Sequence, residues 1–370
     1  MKKSITVIIS ALLILAASLP VSALEISAKA AILISADTGE VIFEKNAHER
    51  LPMASTTKIM TALIVLENAS LNDTVTVSPE AAGTEGSSIY LFKDEKISVG
   101  TLLYALMLES ANDAAAALAI HVSGSIEAFA DMMNEKAASL GLTDTHFTNP
   151  HGLYDDEHYT SAYDLACIAS YALKNDTFRK IVSTKRASAP MTDESASRLF
   201  INHNKLLKIY DGAIGVKTGF TKKSGRCLVS AAERDRMTFV AVTLSAPDDW
   251  ADHRAMLDLA FSSYERMELA KAGEISALLP VVSGELDFIK YENKNDIYIN
   301  INKDNKNIET VLELRRFYFG GIKKGDPLGR ALFYNGETLV AEAELVAVFD
   351  VPKKTYKNPF LSALWDMLKG

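Results

Sequence analysis

Apolar positions recur along the chain with two different periods. In "AAILISADTGEVIFEKN" short apolar runs flank Asp37-Thr38-Gly39, which predicts two strands joined by a turn. Residues 55–67 and 100–121 carry apolar side chains at helical spacing, as do "SIEAFADMMNEKAASLG", ending at Gly141, and "SAYDLACIASYAL". Strand-like runs return at "GVKTGF", "GRCLVSAAE" and "MTFVAVTLSA", separated by turns at Lys222-Lys223-Ser224-Gly225 and Arg234-Asp235-Arg236. Hairpin-connected strands at both ends with helices between them predict an α+β fold, an antiparallel sheet packed with helices.

The pattern changes after "HRAMLDLAFSSYERM", which reads as a helix. Beyond it come short β-type runs, "DIYINI", "TVLELRRFYFG" and "ALFYNGETLVAEAELVAVFDV", the last with Asn335-Gly336 as a two-residue hairpin turn. The expected division is a first domain over 24–267 and a small all-β domain over 268–352. The tail, 353–370, changes again. A helix after Pro359 would gather Phe360, Leu361, Leu364, Trp365 and Leu368 on one face, flanked by Lys353, Lys354, Lys357 and Lys369. Such a helix either docks on its own domain or lies on an anionic membrane surface; the basic flanks favour the membrane.

At the other end, Lys2 and Lys3 precede the apolar run "ITVIISALLILAASL", Pro20 and "VSA", with small residues before Ala23. This is the pattern of a signal peptide over 1–23, and the run is shorter than the about 20 residues of a bilayer span. The expected mature chain starts at Leu24 and works outside the cytoplasm.

Composition narrows the function classes. A net charge of −8 over 370 residues gives no footing for nucleic acid, and 48% hydrophobic content supports a folded core. The seven histidines show no metal-ligand spacing, so no metal cofactor is expected. Cys167 and Cys227 fit either a disulfide or two buried thiols.

Three short motifs carry the candidate chemistry. In "RLPMASTTKIM", Ser55 and Lys58 lie one helical turn apart within an apolar frame. A lysine can take a serine proton only if its ammonium is destabilised by desolvation or by another cation. Met53, Ala54, Ile59 and Met60 could supply the desolvation. Alone the motif says little, since S-x-x-K occurs about once by chance in a chain of this length. The second is Ser110-Ala111-Asn112-Asp113, which interrupts an apolar helical stretch and can either cap the next helix or present Ser110 and Asn112 to a cleft. The third is Lys217-Thr218-Gly219 in a strand-like run, where Lys217 and Thr218 point to opposite faces. A glycine there marks close approach by another backbone, which a peptide substrate along the strand would explain.

S-x-x-K, then S-x-N, then K-T-G, in that order, is the signature of penicillin-recognising serine enzymes. The flanks "LPMASTTKIMTAL", "MLESANDAAAALA", "FTNPHGLYDDEHYTSAYDLA", "NHNKLL" and "GVKTGFTKKSGRCLVSAA" resemble the low-molecular-mass penicillin-binding proteins that act as D-alanyl-D-alanine carboxypeptidases. The resemblance spans 24 to about 265 and is weaker beyond. It implies a penicillin-binding/β-lactamase-like domain, a small all-β domain and a C-terminal amphipathic anchor, on a protein exported to the outer face of the cytoplasmic membrane.

By the same resemblance Ser55 is the nucleophile, Lys58 the base and Ser110 the relay to the leaving group. Asn112 holds Lys58 and the substrate amide; Lys217 and Thr218 receive the terminal carboxylate; the backbone N–H groups of Ser55 and of Phe220, past Gly219, form the oxyanion hole. The implied partners are peptidoglycan stem peptides ending in D-Ala-D-Ala and β-lactam antibiotics. Some relatives carry an arginine after the strand that follows K-T-G; here only Arg254 is nearby, and it fits that place poorly. The alternatives are a β-lactamase, a DD-endopeptidase on the same fold and a non-catalytic penicillin sensor; no counterpart of the β-lactamase deacylating glutamate is visible.

Overall fold

The computed structural model describes residues 24–190, 197–355 and 367. The signal-peptide reading over 1–23 lies outside the described residues, as do all but the first residues and Met367 of the tail. The chain divides into two compact units, 1–260 and 261–370.

A five-stranded antiparallel sheet forms the spine of the first unit. Its strands are β1 (Ala30–Ser35), β2 (Val41–Lys45), β3 (Ala213–Thr221), β4 (Gly225–Arg234) and β5 (Met237–Leu244), in the spatial order β2-β1-β5-β4-β3. Strands from both ends of the domain sequence therefore meet at the centre, where β1 pairs with β5 from Ala30↔Leu244 to Ser35↔Phe239. The β4–β5 turn is tight because Asp235 and Arg236 both take positive φ, 51° and 61°, the twist a two-residue hairpin needs.

The helices between β2 and β3 build the layer beside this sheet. They include α1 (Lys58–Asn68), α2 (Asn112–Ser123), α3 (Ile126–Ser139) and α4 (Ala162–Ala172). Helices α1 and α4 lie against the strands, and α2 and α3 against α1. Starts of α3 and α4 are set by serine caps: Ser125 Oγ accepts from the Ala128 N–H at 3.1 Å and Ser161 Oγ from the Asp164 N–H at 3.0 Å. The alanine run of α2 buries Ala114 to Ala117 completely or nearly so, which lets its backbone approach neighbouring helices closely. Leu63 and Ile64 of α1, Leu118 of α2, and Leu165 and Ile168 of α4 join Ile32, Val229, Val240 and Val242 of the sheet in one core. Each such side chain contributes about 1.5–3 kcal/mol when fully buried.

The apolar stretch 100–121 is broken where the sequence suggests. An α-turn over Val99–Tyr104 widens into a π-turn over Ala105–Glu109, and Ser110 takes a left-handed φ of 61° before α2 begins. On the far face of the sheet lies α5 (Asp249–Ser263), tied down by buried His253. Its ring nitrogens meet Ser230 Oγ of β4 at 2.5 Å and Thr243 Oγ1 of β5 at 2.9 Å. Burial pulls the imidazole down to about 3, so it is neutral.

One expected element is corrected. The helical reading of "HRAMLDLAFSSYERM" ends at Ser263, and Tyr264–Ala270 is a strand, β6. Pairing decides it: β6 lies antiparallel to β9 (Ile297–Asn302), from Tyr264↔Asn302 to Ala270↔Ile297. The expected domain boundary at 267/268 therefore falls inside a strand, and the units part earlier, at 260/261.

The second unit is built of strands. Besides β6 and β9 it has a six-stranded sheet of β7 (Ser276–Val282), β8 (Phe288–Asn293), β10 (Ile308–Leu314), β11 (Tyr318–Phe319), β12 (Pro327–Asn335) and β13 (Thr338–Ala347). The β12–β13 hairpin forms where the sequence predicts one but turns one residue later, at Gly336-Glu337: Asn335 is still paired, opposite Thr338, and Gly336 takes the positive φ of 61°. Ile289, Tyr291, Phe333, Leu345 and Val351 form its core.

Candidate active site

Ser55 does not cap a helix. It lies in a 3-10 turn, Ala54–Thr57, that runs into α1 at Lys58. In a 3-10 turn residues i and i+3 eclipse, so the tighter winding brings the lysine directly against the serine. Lys58 Nζ lies 3.0 Å from Ser55 Oγ.

Lys58 is fully buried, and its amine has two further partners, Asn112 Oδ1 at 2.7 Å and the His151 carbonyl at 2.6 Å. Both are acceptors only. A neutral amine has two hydrogens and one lone pair: the hydrogens are taken by Asn112 and His151, which leaves the lone pair for the Ser55 hydroxyl. Burial holds the Lys58 ammonium well below its usual range, the Lys217 charge pushes the same way, and Asp113 opposes them. Three acceptors around Nζ would suit an ammonium equally well, so it is the electrostatics that favour an uncharged amine next to the hydroxyl.

Asn112 is the first residue of α2 rather than its cap, and its own amide is fixed by donating to the Glu85 carbonyl at 2.6 Å. Asp113, buried beside it, binds the opposite loop instead of serving only its helix. It accepts from Ser88 Oγ at 2.6 Å and from the N–H of Leu91 at 3.0 Å. Ser110 stands at the break before α2 and lines the same cleft as Ser55.

The third motif is on β3, an edge strand of the sheet. Lys217 is 2% exposed and donates to the Thr218 carbonyl at 2.8 Å, and burial pulls its ammonium down to about 7. Thr218, Gly219 and Phe220 line the cleft. The close approach expected at Gly219 comes from the protein itself, not from a substrate strand: a Cβ there would lie 3.1 Å from the Ser55 amide nitrogen and 3.2 Å from the Met53 carbonyl oxygen. All eight residues singled out in the sequence therefore fall in one region, with Lys58, Asn112 and Lys217 buried and the others around a cleft of about 370 Å³.

Several contributors were not legible in the motifs. The His151 carbonyl carries no side-chain signal, although "NPHGL" was part of the resemblance. The cleft is also lined by His203, Lys205, Arg226, Asp249 and Trp250. Arg226, opposite Phe220 in the β3–β4 ladder, is held by Asp249 Oδ1 through Nε at 3.0 Å and Nη2 at 2.7 Å. Arg254, by contrast, is exposed on α5 and does not line the cleft. Cys167 and Cys227 are both free thiols, Cys227 buried. Among the described residues no cluster of His, Cys, Asp and Glu could hold a metal ion, and no helix is long and apolar enough to cross a membrane.

Comparison with known proteins agrees with this geometry over most of the chain. The D-alanyl-D-alanine carboxypeptidase DacF of Bacillus subtilis (strain 168) is 36% identical over 338 residues, covering 88% of this chain and 86% of that protein. The crystal structure of penicillin-binding protein 5 from Haemophilus influenzae superposes with a TM-score of 0.70 at 27% identity, covering 90% of this chain and all of that one. A Streptomyces K15 DD-transpeptidase structure, at 35% identity and TM-score 0.62, covers 64% of this chain and 99% of its own. The C-terminal domain of penicillin-binding protein 5 matches residues 264–353. With the D-alanyl-D-alanine carboxypeptidase model matching residues 16–248, the chain belongs to that family of serine hydrolases, the low-molecular-mass penicillin-binding proteins.

Proposed function

We propose that this protein removes the terminal D-alanine from peptidoglycan stem peptides through an acyl-enzyme on Ser55. The observation that carries the reading is fully buried Lys58 against Ser55 Oγ at 3.0 Å: burial favours its neutral amine, and with its two hydrogens on Asn112 and His151 that amine keeps its lone pair for the hydroxyl. Ser55 Oγ attacks the carbonyl carbon between the last two D-alanines, and its proton passes to Lys58 Nζ. The tetrahedral oxyanion is received by the backbone N–H groups of Ser55 and Phe220. Ser110 delivers its hydroxyl proton to the leaving nitrogen and is reprotonated by Lys58, which returns to the neutral amine as the C–N bond breaks and D-alanine departs. Water then hydrolyses the Ser55 ester by the reverse proton path.

Specificity for a chain end follows from charge. Lys217, Thr218 and Arg226 surround the place where a free carboxylate would lie beyond the scissile bond, whereas an internal peptide bond offers no anion there. β-Lactams carry the same carboxylate and would acylate the same serine. Asn112 is assigned to both Lys58 and the substrate amide.

The test is D-alanine release from a stem pentapeptide, with intact-mass analysis after penicillin treatment. One adduct is expected, mapped to Ser55 and absent in Ser55→Ala; Lys58→Ala should acylate about 10²–10⁴ times more slowly. Stable acylation without D-alanine release would favour a penicillin sensor instead.

The terminal segments complete the reading. The 1–23 sequence supports export, and the basic amphipathic tail supports a peripheral anchor on an anionic membrane outside the cytoplasm. Deleting 357–370 should release the protein from membranes without loss of soluble activity; continued membrane association would remove the anchor from the proposal.

A further inference from the structure

The peptide bond between Ala54 and Ser55 is held from both sides. Ala54 has φ 49°, a left-handed backbone that residues with a Cβ rarely adopt, so the turn is not maintained by its own preference. A planar trans peptide points its C=O and its N–H in opposite directions. Fixing the Ala54 oxygen therefore aims the Ser55 N–H.

The oxygen is fixed by two contacts. It accepts the Thr57 hydroxyl at 2.8 Å, and the backbone at Gly152 closes over it so tightly that a Cβ there would lie 1.9 Å away. On the opposite side, the Ser55 nitrogen faces Gly219 at the cleft.

The Thr57 proton is itself directed. Buried His158 approaches the Thr148 backbone N–H with Nδ1 at 3.0 Å and Thr57 Oγ1 with Nε2 at 2.8 Å. An N–H can only donate, so Nδ1 is the acceptor and the ring proton sits on Nε2. Nε2 then donates to Thr57 Oγ1, and the single hydroxyl hydrogen is left for the Ala54 carbonyl. Each step in the sequence Thr148, His158, Thr57, Ala54 has one permitted direction. Burial, which draws the imidazole down to about 4, keeps it in the neutral form this requires.

We infer that His158 and Thr57 are positioning residues that, by holding the Ala54 carbonyl, aim the Ser55 N–H into the cleft as an oxyanion donor. The inference rests on Ser55 being the nucleophile and adds the residues that orient its backbone. Neither side chain lines the cleft, so neither touches substrate.

Thr57→Val keeps the shape and removes the hydroxyl; Thr57→Ser restores it. Thr57→Val should lower kcat for D-alanine release about 10- to 100-fold with KM within about threefold, since a misaimed oxyanion donor acts on the transition state alone. A peptidyl boronic acid, whose tetrahedral adduct on Ser55 places an oxygen in the oxyanion position, should lose affinity by a similar factor. Thr57→Ser should recover kcat to within about threefold, and His158→Leu, which frees the hydroxyl to rotate, should lose part of it. The inference fails if folded Thr57→Val or His158→Leu retains wild-type kcat. It also fails if kcat falls without weaker boronate binding, or if Thr57→Ser does not rescue. Absence of D-alanine release by the wild type would instead overturn the parent reading before any variant is compared.

Discussion

Gly219 and Ser55 meet backbone to backbone: a Cβ on the glycine would come within 3.1 Å of the serine amide nitrogen. The edge strand β3 and the turn carrying Ser55 are thus packed as closely as they can be, and the serine N–H lies at the level of the strand. The missing side chain at Gly219 is what allows the turn to sit there.

Gly219→Ala should accordingly leave a folded protein whose reaction with penicillin is at least about tenfold slower, because the added methyl must push the Ser55 amide out of line with a developing oxyanion. The acylation rate constant from time-resolved intact mass is the measurement. An unchanged rate would mean that the close approach is only packing.

The two buried lysines have opposite requirements, and pH should separate them. Lys58 must be neutral to accept a proton, and burial with the Lys217 charge beside it keeps it so well below the ordinary lysine range. Lys217 must be cationic to attract a carboxylate, and it loses its proton near 7. The profile of kcat/KM should therefore be bell-shaped with a falling limb near 7. Bound carboxylate raises the Lys217 pKa, so the falling limb of kcat should lie at higher pH than that of kcat/KM. Coincident limbs would assign the titration to another group.

Burying Lys217 also lowers stability. Its pKa is about 7 folded against 10.5 unfolded, so between these values the unfolded chain binds the extra proton and stability rises with pH; below about 7 the full penalty is present. Lys217→Met should raise the unfolding temperature at pH 7 by about 2–4 °C and gain less near pH 10, while D-alanine release collapses. Lys58→Met should not gain in the same way, because it strands the Asn112 Oδ1 and His151 carbonyl acceptors. Thermal melts of both variants at the two pH values decide the matter.

Arg226 offers a guanidinium to the cleft from β4, with buried Asp249 fixing its orientation. If it reads the substrate carboxylate, Arg226→Gln should raise KM for a stem peptide about tenfold and leave kcat within about threefold. A peptide amidated at its C-terminus should show no further loss on that substitution. Equal KM values for wild type and variant on the free acid would confine Arg226 to holding α5.

Much of this protein was already set by its linear order. The motifs around Ser55, Ser110 and Lys217 name the chemistry because a serine nucleophile, its base and a carboxylate anchor need those residue types whatever the fold. The strands and the helices of the first unit follow from side-chain period, and the turn at Asp235-Arg236 and the hairpin at Gly336 from local backbone preference. Where two periods compete the sequence is ambiguous: Tyr264–Met267 continues a helical pattern, yet pairing with Ile299–Asn302 makes it strand. The tertiary structure decided what no side-chain pattern carries. A backbone carbonyl at His151 completes the lysine's partners, a glycine at 219 admits the nucleophile's turn, and Arg226, rather than Arg254, reaches the cleft by strand pairing. The charge state of Lys58 was decided there too, since desolvation and the distance between cations exist only once three separated stretches have packed together.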